Sequence, residues 1–364
     1  MPPPSFLSRA SSLLRSTFSG RRADGALAID YSPTALNAIH VRREGSELML
    51  DGFRVIRLTG EAKRRPLQDV FHQALELRLG SEPVVFSLTS PELAIRKVEL
   101  PPMTAQELRE ALPWEARRHI ANLPEDPILD AHVLGQGTQQ SSGPMEVVLV
   151  AFPRALYNDV SDAWAGLGIT PAFIDVSQMA AMNGVLAGRL HSEPGPLALL
   201  DIGSGLGSFA IFSQANLILF RDLGQRVTHL DSLLGAQLGL DADQVDAFKL
   251  TGKLAKGEPP SSGVVQRAIA EVIGELAEDL RAGLLYLESR TGGSLDRVHL
   301  SGSATGFLDR YGIADAVSAQ SGVTLERFNP LQGFRIGLVD EVGLRAVSAE
   351  LGAAAGLATR YFSS

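Results

Sequence analysis

With 364 residues, 45% of them hydrophobic and 20% charged, the chain is globular by composition and long enough for two or three domains. Its formal net charge of -8 gives the body no general attraction for polyanions, which excludes sequence-independent nucleic-acid binding as its main role. Cysteine is absent, so disulfides, thiolate nucleophiles and cysteine metal sites all drop out, as fits a reducing compartment.

Residues 1–23 read as a basic leader: Arg9, Arg15, Arg21 and Arg22 occur with no acidic residue before Asp24. It lacks the continuous apolar stretch and cleavage site of a signal peptide. Phe6, Leu7, Leu13, Leu14 and Phe18 fall only roughly on one helical face. The leader is therefore either a flexible tail or a weak membrane-surface helix. No apolar run approaches the length of a bilayer span, so membrane association is expected to be peripheral.

An internal duplication follows. Leu27, Ala28, Ile29 and Asp30 end a strand, Ser32 and Pro33 turn the chain, and Ala38 to Val41 and Leu48 to Leu50 continue as strands. About 170 residues later Leu197 to Leu200, Asp201, the turn Gly203-Ser204-Gly205-Leu206-Gly207, Phe209 to Phe212 and Leu217 to Phe220 repeat the plan. In both copies the second strand is expected eight residues after the Asp, at Ala38 and Phe209. A dinucleotide fingerprint would open a helix after its glycines, whereas these glycines lead into another strand. Gly252-Lys253 lacks the rest of a P-loop, there is no Gly-x-Ser-x-Gly elbow, and the seven histidines have no metal-ligand spacing.

Between the copies, residues 93–177 read as an inserted strand–helix–strand–strand unit. Ile95 to Leu100 make a strand stopped by Pro101-Pro102, and Thr104 with Glu107 forms a capping box for a helix through Leu108, Leu112 and Ile120. Pro113 is expected to kink or split that helix. A Gly/Gln/Ser-rich turn at 135–143, a strand from Val147 to Ala151, an amphipathic helix and a strand from Ala172 to Val176 follow. Ala180-Ala181 with Gly184, and Gly352 to Gly356, carry enough small residues to be helices crossing at a hinge, or ordinary buried helices.

Together these features resemble the actin-like superfamily and, within it, the PilM family of type IV pilus assembly proteins, over nearly all of residues 24–364. The most specific stretch is Ile95-Arg96-Lys97-Val98-Glu99-Leu100-Pro101-Pro102-Met103, followed by Glu107-Leu108, Glu115-Ala116 and Leu129-Asp130. Leu300-Ser301-Gly302-Ser303-Ala304 resembles the family's adenosine loop. The resemblance implies an α/β fold of actin-like, ribonuclease H-like duplicated type. Its first half would be 24–92 with 178–196, its inserted unit 93–177, and its second half 197–364 with a C-terminal crossing helix. It also implies a cytoplasmic location at the inner face of the inner membrane. The function implied is that of an adaptor, with the cytoplasmic N-terminal tail of a PilN-like membrane protein and other pilus components, including assembly ATPases, as partners.

The resemblance further implies ATP and Mg2+ at Asp30, Ser32, Asn37, Asp201, Gly203, Ser204, Gly205, Asp246, Lys249, Gly302 and Ser303, with Asp30 and Asp201 holding the metal. The carry-over is uneven: Ser32 stands for a glycine, Asn37 for a phosphate-directed lysine, Gly207 for a hydroxyl residue, and Ser303 for a glycine beside the adenine. No residue is identified that would stabilise a hydrolytic transition state. Arg96, Glu99, Pro101 and Glu115 are the implied partner-binding residues, at a groove between the inserted unit and the first half. Two other readings stay open. A sugar-kinase-like phosphotransferase would need a catalytic aspartate, for which Asp130 and Asp175 are candidates, Asp175 being equally a helix N-cap. A polymerising relative of the division protein FtsA would carry a C-terminal membrane helix, whereas this chain stops at Phe362-Ser363-Ser364.

Overall fold

The computed structural model describes residues 23–134, 143–189, 195–203, 205–213, 216–254 and 258–363. The leader at 1–22, the turn at 135–142 and Ser204 lie outside the described residues. The first meander is β1 (Gly25–Ser32), β2 (Ala35–Glu44) and β3 (Glu47–Arg57); a 3-10 turn (Gly60–Arg64) and α1 (Leu67–Leu75) lead to β4 (Val84–Leu88). Next come β5 (Ala94–Leu100), α2 (Ala105–His119), β6 (Pro127–Val133), β7 (Met145–Pro153), α3 (Arg154–Gly166), β8 (Ile174–Val176) and α4 (Ser177–Arg189). The second meander, β9 (Leu197–Ile202), β10 (Gly207–Ser213) and β11 (Asn216–Asp222), feeds α5 (Gly224–Leu238), α6 (Ala242–Thr251), α7 (Ser262–Ala268) and α8 (Ala270–Thr291). The chain ends with β12 (Arg297–Ser301), α9 (Thr305–Arg310), α10 (Ile313–Ser321), β13 (Thr324–Arg327), β14 (Phe334–Ile336), α11 (Glu341–Val347), a second 3-10 turn (Ser348–Leu351) and α12 (Gly352–Ser363).

The duplication is present in the backbone. One sheet has the order β14-β3-β2-β1-β4-β8 and another β11-β10-β9-β12-β13, so each half wraps an antiparallel meander onto parallel strands beside its first strand. Ala26 to Ile29 in β1 and Ala198 to Leu200 in β9 are buried, as near-continuous apolar runs at sheet centres require. The second strands begin at Ala35 and Gly207, earlier than Ala38 and Phe209. Each turn is closed tightly: the Ser32 hydroxyl accepts from the Ala35 amide at 3.1 Å, and Gly203 N–H donates to the Leu206 carbonyl at 2.8 Å.

Three further expectations change. Strand β8 pairs with β4 in the first sheet and α3 packs on α1, so the separate three-stranded sheet β5-β7-β6 with α2 is smaller than the span 93–177. Strand β14 joins β3, and α12 packs on β1, β2 and β4, so 197–364 is not confined to the second half. Pro113 does not split α2, which runs unbroken from its Thr104–Glu107 capping box. Proline lies on the helix's exposed side, while Leu112 and Ala116 are buried and hold the turns on either side of it.

The small-residue segments are the crossing pair α4 and α12. A Cβ on Gly184 would lie 2.9 Å from the Gly352 carbonyl, and one on Gly356 would lie 2.7 Å from the Gly184 nitrogen. Glycine is required at both positions because the two backbones touch. This crossing seals the core of the first sheet directly beneath Ser177 and Gln178. Among the described residues, no helix is long and apolar enough to cross a membrane.

Candidate functional site: a paired-aspartate cleft

Each meander delivers an aspartate to the end of its first strand. Asp30 stands in register with Asn37 of β2 and Ser87 of β4; Asp201 stands in register with Ser208 of β10 and Ser301 of β12. Both carboxylates line one narrow cavity of about 70 Å³, together with Ser32, Asn37, Gly203, Gly302 and Ser303. Gly302 has φ +100°, and a Cβ there would strike both the Asp201 carboxylate and the Ile202 carbonyl. Only glycine lets this loop lie against the carboxylate.

The two aspartates sit in unlike surroundings. The Asp30 carboxylate accepts hydrogen bonds from Ser87 Oγ at 2.7 Å and Ser177 Oγ at 2.5 Å. Burial pushes its carboxyl up, and the bonds from Ser177, Ser87 and Asn37 pull against that rise. Asp201 keeps a little surface along the cavity wall but is otherwise enclosed by protein. Burial, with the Asp30 charge beside it, pushes its carboxyl up to about 7. Asp30, Asp201 and Glu350 all line the narrow cavity, and among the described residues no lysine or arginine does. A site with that balance disfavours an added anion unless a cation comes with it.

A larger cavity of about 630 Å³ adjoins the narrow one and shares Ser303 and Glu350 with it. Its walls include Leu250, Thr305, Gly306, Arg57, Arg310 and Arg327. The glycine loop after β12 thus separates a small acidic chamber from a roomier, partly basic one.

Several expected residues lie elsewhere. Gly205 is in the turn at φ +71°, next to Pro91, and lines neither cavity. Asp246 of α6 receives Lys63 from the turn Gly60–Arg64 at 3.4 Å, a contact that crosses between the halves. Lys249 is 1% exposed and donates to Asp231 at 2.5 Å, so its ammonium points into the protein and lines neither cavity. It lies on the buried side of α6, whose neighbour Leu250 lines the larger cavity. Asp130 and Asp175 also lie outside both cavities, and Asp175 is bonded to Arg360 of α12.

The four partner candidates are not gathered on one free groove. Arg96 pairs with Asp222 of β11 at 2.9 Å, and its neighbour Lys97 donates to the Ile218 carbonyl at 3.0 Å. Glu99 lies within 4.0 Å of Arg290 on α8, Pro101 is exposed, and Glu115 faces His119 on α2 at 3.3 Å. Strand β5 therefore forms a polar seam against the second half, because its free edge meets the edge strand β11.

Sequence reasoning missed Thr89, Ser177, Gln178 and Glu350 in the narrow cavity, Ser87 on Asp30, and Arg57 in the larger cavity. Ser87 had a detectable signal, since it follows the apolar run Val84-Val85-Phe86. Glu350 and Arg57 had none, being joined only by tertiary contact.

The family description "Type IV pilus assembly protein PilM" matches residues 28–362. The chain belongs to the PilM family. Among solved structures, a PilM-PilN type IV pilus biogenesis complex is similar at TM-score 0.73 and 24% identity, covering 94% of this chain and 99% of that one. The ethanolamine utilization protein EutJ from Carboxydothermus hydrogenoformans gives TM-score 0.49 and 12% identity, over 94% of this chain and 91% of that one. No curated protein matches by sequence. The fold of this PilM-family chain is the actin-like one that the sequence resemblance implied, with its two sheets and aspartate-bearing meanders.

Proposed function

We propose that this chain is an adaptor of type IV pilus assembly that acts at the cytoplasmic face of the inner membrane by holding the N-terminal tail of a PilN-like membrane protein. The observation that carries this reading is the family match over residues 28–362. An edge supports it. Strands β6 and β8 are both outermost in their sheets, and neither has a further strand partner among the described residues. Burial raises the Asp130 carboxyl on β6, Asp175 on β8 adds to that rise, and Arg360 opposes it, so the three charges share one neighbourhood. Open strand edges around such a cluster suit an extended peptide, whose main chain supplies affinity and whose polar side chains set register.

The test is fluorescence anisotropy with a labelled peptide of that cytoplasmic tail. The parent binds; Asp130→Arg, and Arg96→Glu through the seam, weaken binding at least tenfold, and Asp296→Lys on the far side leaves it unchanged. Equal binding by the parent and by both the Asp130→Arg and Arg96→Glu variants, with thermal melts confirming folding, would move the partner site elsewhere.

The same fold supports ATP binding as a modulator. Asp30 and Asp201 would hold a hydrated Mg2+, whose charge offsets the acidic chamber, and Asn37 and the turn after Asp201 would face the phosphates. The larger cavity beside Ser303 and Thr305 has the size for a nucleoside. The reading is of binding; among the described residues the charged groups lining the narrow cavity are all carboxylates. Calorimetry with MgATP on parent and Asp201→Ala checks it: heat with the parent and none with the variant is expected, and no heat with either would end the nucleotide reading.

A further inference from the structure

We infer that Arg57 is the cleft's receptor for a phosphate group and that Glu350 occupies it as an internal stand-in until a phosphorylated ligand arrives. The inference rests on the nucleotide reading above and supplies the cation that reading lacks. Arg57 ends β3 in register with Ala35, beside the tip of the first hairpin, and Leu58 N–H closes that tip on the Thr34 carbonyl at 2.8 Å. Its guanidinium holds the Glu350 carboxylate through both terminal nitrogens, the Nη2 contact being 2.7 Å. A planar fork of this kind grips carboxylate and phosphate with the same geometry.

The place matters as much as the chemistry. Glu350 lines both cavities, so it stands at the wall they share. Its side chain is 11% exposed, whereas that of Arg57 is 33% exposed and lines the larger cavity. An incoming anion can therefore reach the guanidinium from the roomy side. Asn37 donates to the backbone carbonyl of Glu350 at 3.2 Å. Arg57 and Asn37 stand two residues apart in ladder register on β3 and β2 and are both tied to Glu350.

Release of Glu350 would also be felt elsewhere. The preceding residue, Ala349, accepts from Gly302 N–H at 3.1 Å and Ser301 Oγ at 3.3 Å, and two residues on the chain enters α12. The turn Ser348–Leu351 thus clasps β2 and β3 of one half and the glycine loop of the other. A ligand that takes Arg57 frees the Glu350 side chain and loosens one side of that clasp.

Calorimetry on the full chain tests this with three probes, namely ATP, inorganic tripolyphosphate and adenosine, each with Mg2+. Arg57→Gln should lower ATP affinity about tenfold to a hundredfold, the cost of one charge-assisted contact, and leave adenosine binding unchanged. Arg57→Lys should recover only part of the loss, because the fork is gone. Glu350→Gln should raise ATP affinity by about tenfold, because the internal competitor for Arg57 is weakened. Tripolyphosphate following ATP through the variants assigns the site to the phosphates themselves; adenosine following instead would overturn the inference. A parent and Arg57→Lys that bind ATP equally, with Arg57→Gln matching both, would sink the inference and leave the nucleotide reading intact. ATP heat absent from the parent would remove the two readings together.

Discussion

The two hairpin aspartates occupy the same place in duplicated halves and have been given different work. Ser87 and Ser301 stand in the same register, opposite Asp30 and Asp201. Ser87 donates to its aspartate, and Ser177 adds a second bond; Ser301 turns away to the Ala349 carbonyl. Asp30 is therefore part of the hydrogen-bonded frame of the first half. Asp201 is a carboxylate kept with little solvation and, among the described residues, without a side-chain hydroxyl bonded to it. Symmetry of backbone does not impose symmetry of role, because one hydroxyl rotamer and one extra serine are enough to separate them.

The sharpest way to break the comparison between halves is through their close-packed glycines. Gly356 in α12 faces the Ala180 backbone, while Gly283 in α8 faces the rings and methyls of Phe209 and Leu219. A backbone cannot retreat as a side chain can. Gly356→Ala is expected to cost about 4 kcal/mol or more, and Gly283→Ala about 1–3 kcal/mol, measured by urea unfolding. Equal costs would mean that α4 and α12 can separate freely.

Next in size is a direct exchange of the aspartates. Asp30→Ala leaves the Ser87 and Ser177 hydroxyls buried with no acceptor at that place, for a loss of about 3 kcal/mol at pH 7. Asp201→Asn removes a poorly solvated charge, so it is expected to be neutral or stabilising in the metal-free protein. Thermal melts of the two variants decide whether the asymmetry is energetic or only geometric.

The pH dependence sharpens the same point. An aspartate whose folded pKa is raised holds its proton after the unfolded chain has lost it, so its contribution to stability is full below about pH 4 and declines as pH rises through about 7. The metal-free parent should lose on the order of a few kcal/mol between pH 5 and pH 8 relative to Asp201→Asn. Adding Mg2+ at pH 8 should recover part of that loss in the parent and none in the variant. A parent and variant with parallel pH profiles would show that Asp201 is ionised throughout.

The smallest effect is expected at the seam between β5 and β11. Arg96 and Asp222 are both partly solvated, with side chains 38% and 29% exposed, so exchanging their charges singly should change stability by less than about 1 kcal/mol. The double exchange Arg96→Asp with Asp222→Arg should restore whatever is lost. A large loss in either single variant would make the seam a structural joint, and its contribution to peptide binding would then be read through folding.

Local pattern made much of this protein legible in the sequence. The duplicated apolar runs ending in Asp30 and Asp201 and the Thr104–Glu107 capping box each depend on neighbours within a few residues, so strand and cap chemistry expose them directly. The small residues at 180–184 and 352–356 likewise announce close helix approach, since nothing larger fits between touching backbones. Only the tertiary structure decided which charges remain available at the site. Lys249 is consumed by Asp231, Arg96 by Asp222, and Arg57 by Glu350 from 293 positions away. Ion pairing depends on where side chains meet in space and on how little solvent reaches them, and neither is written in the spacing of residues along the chain.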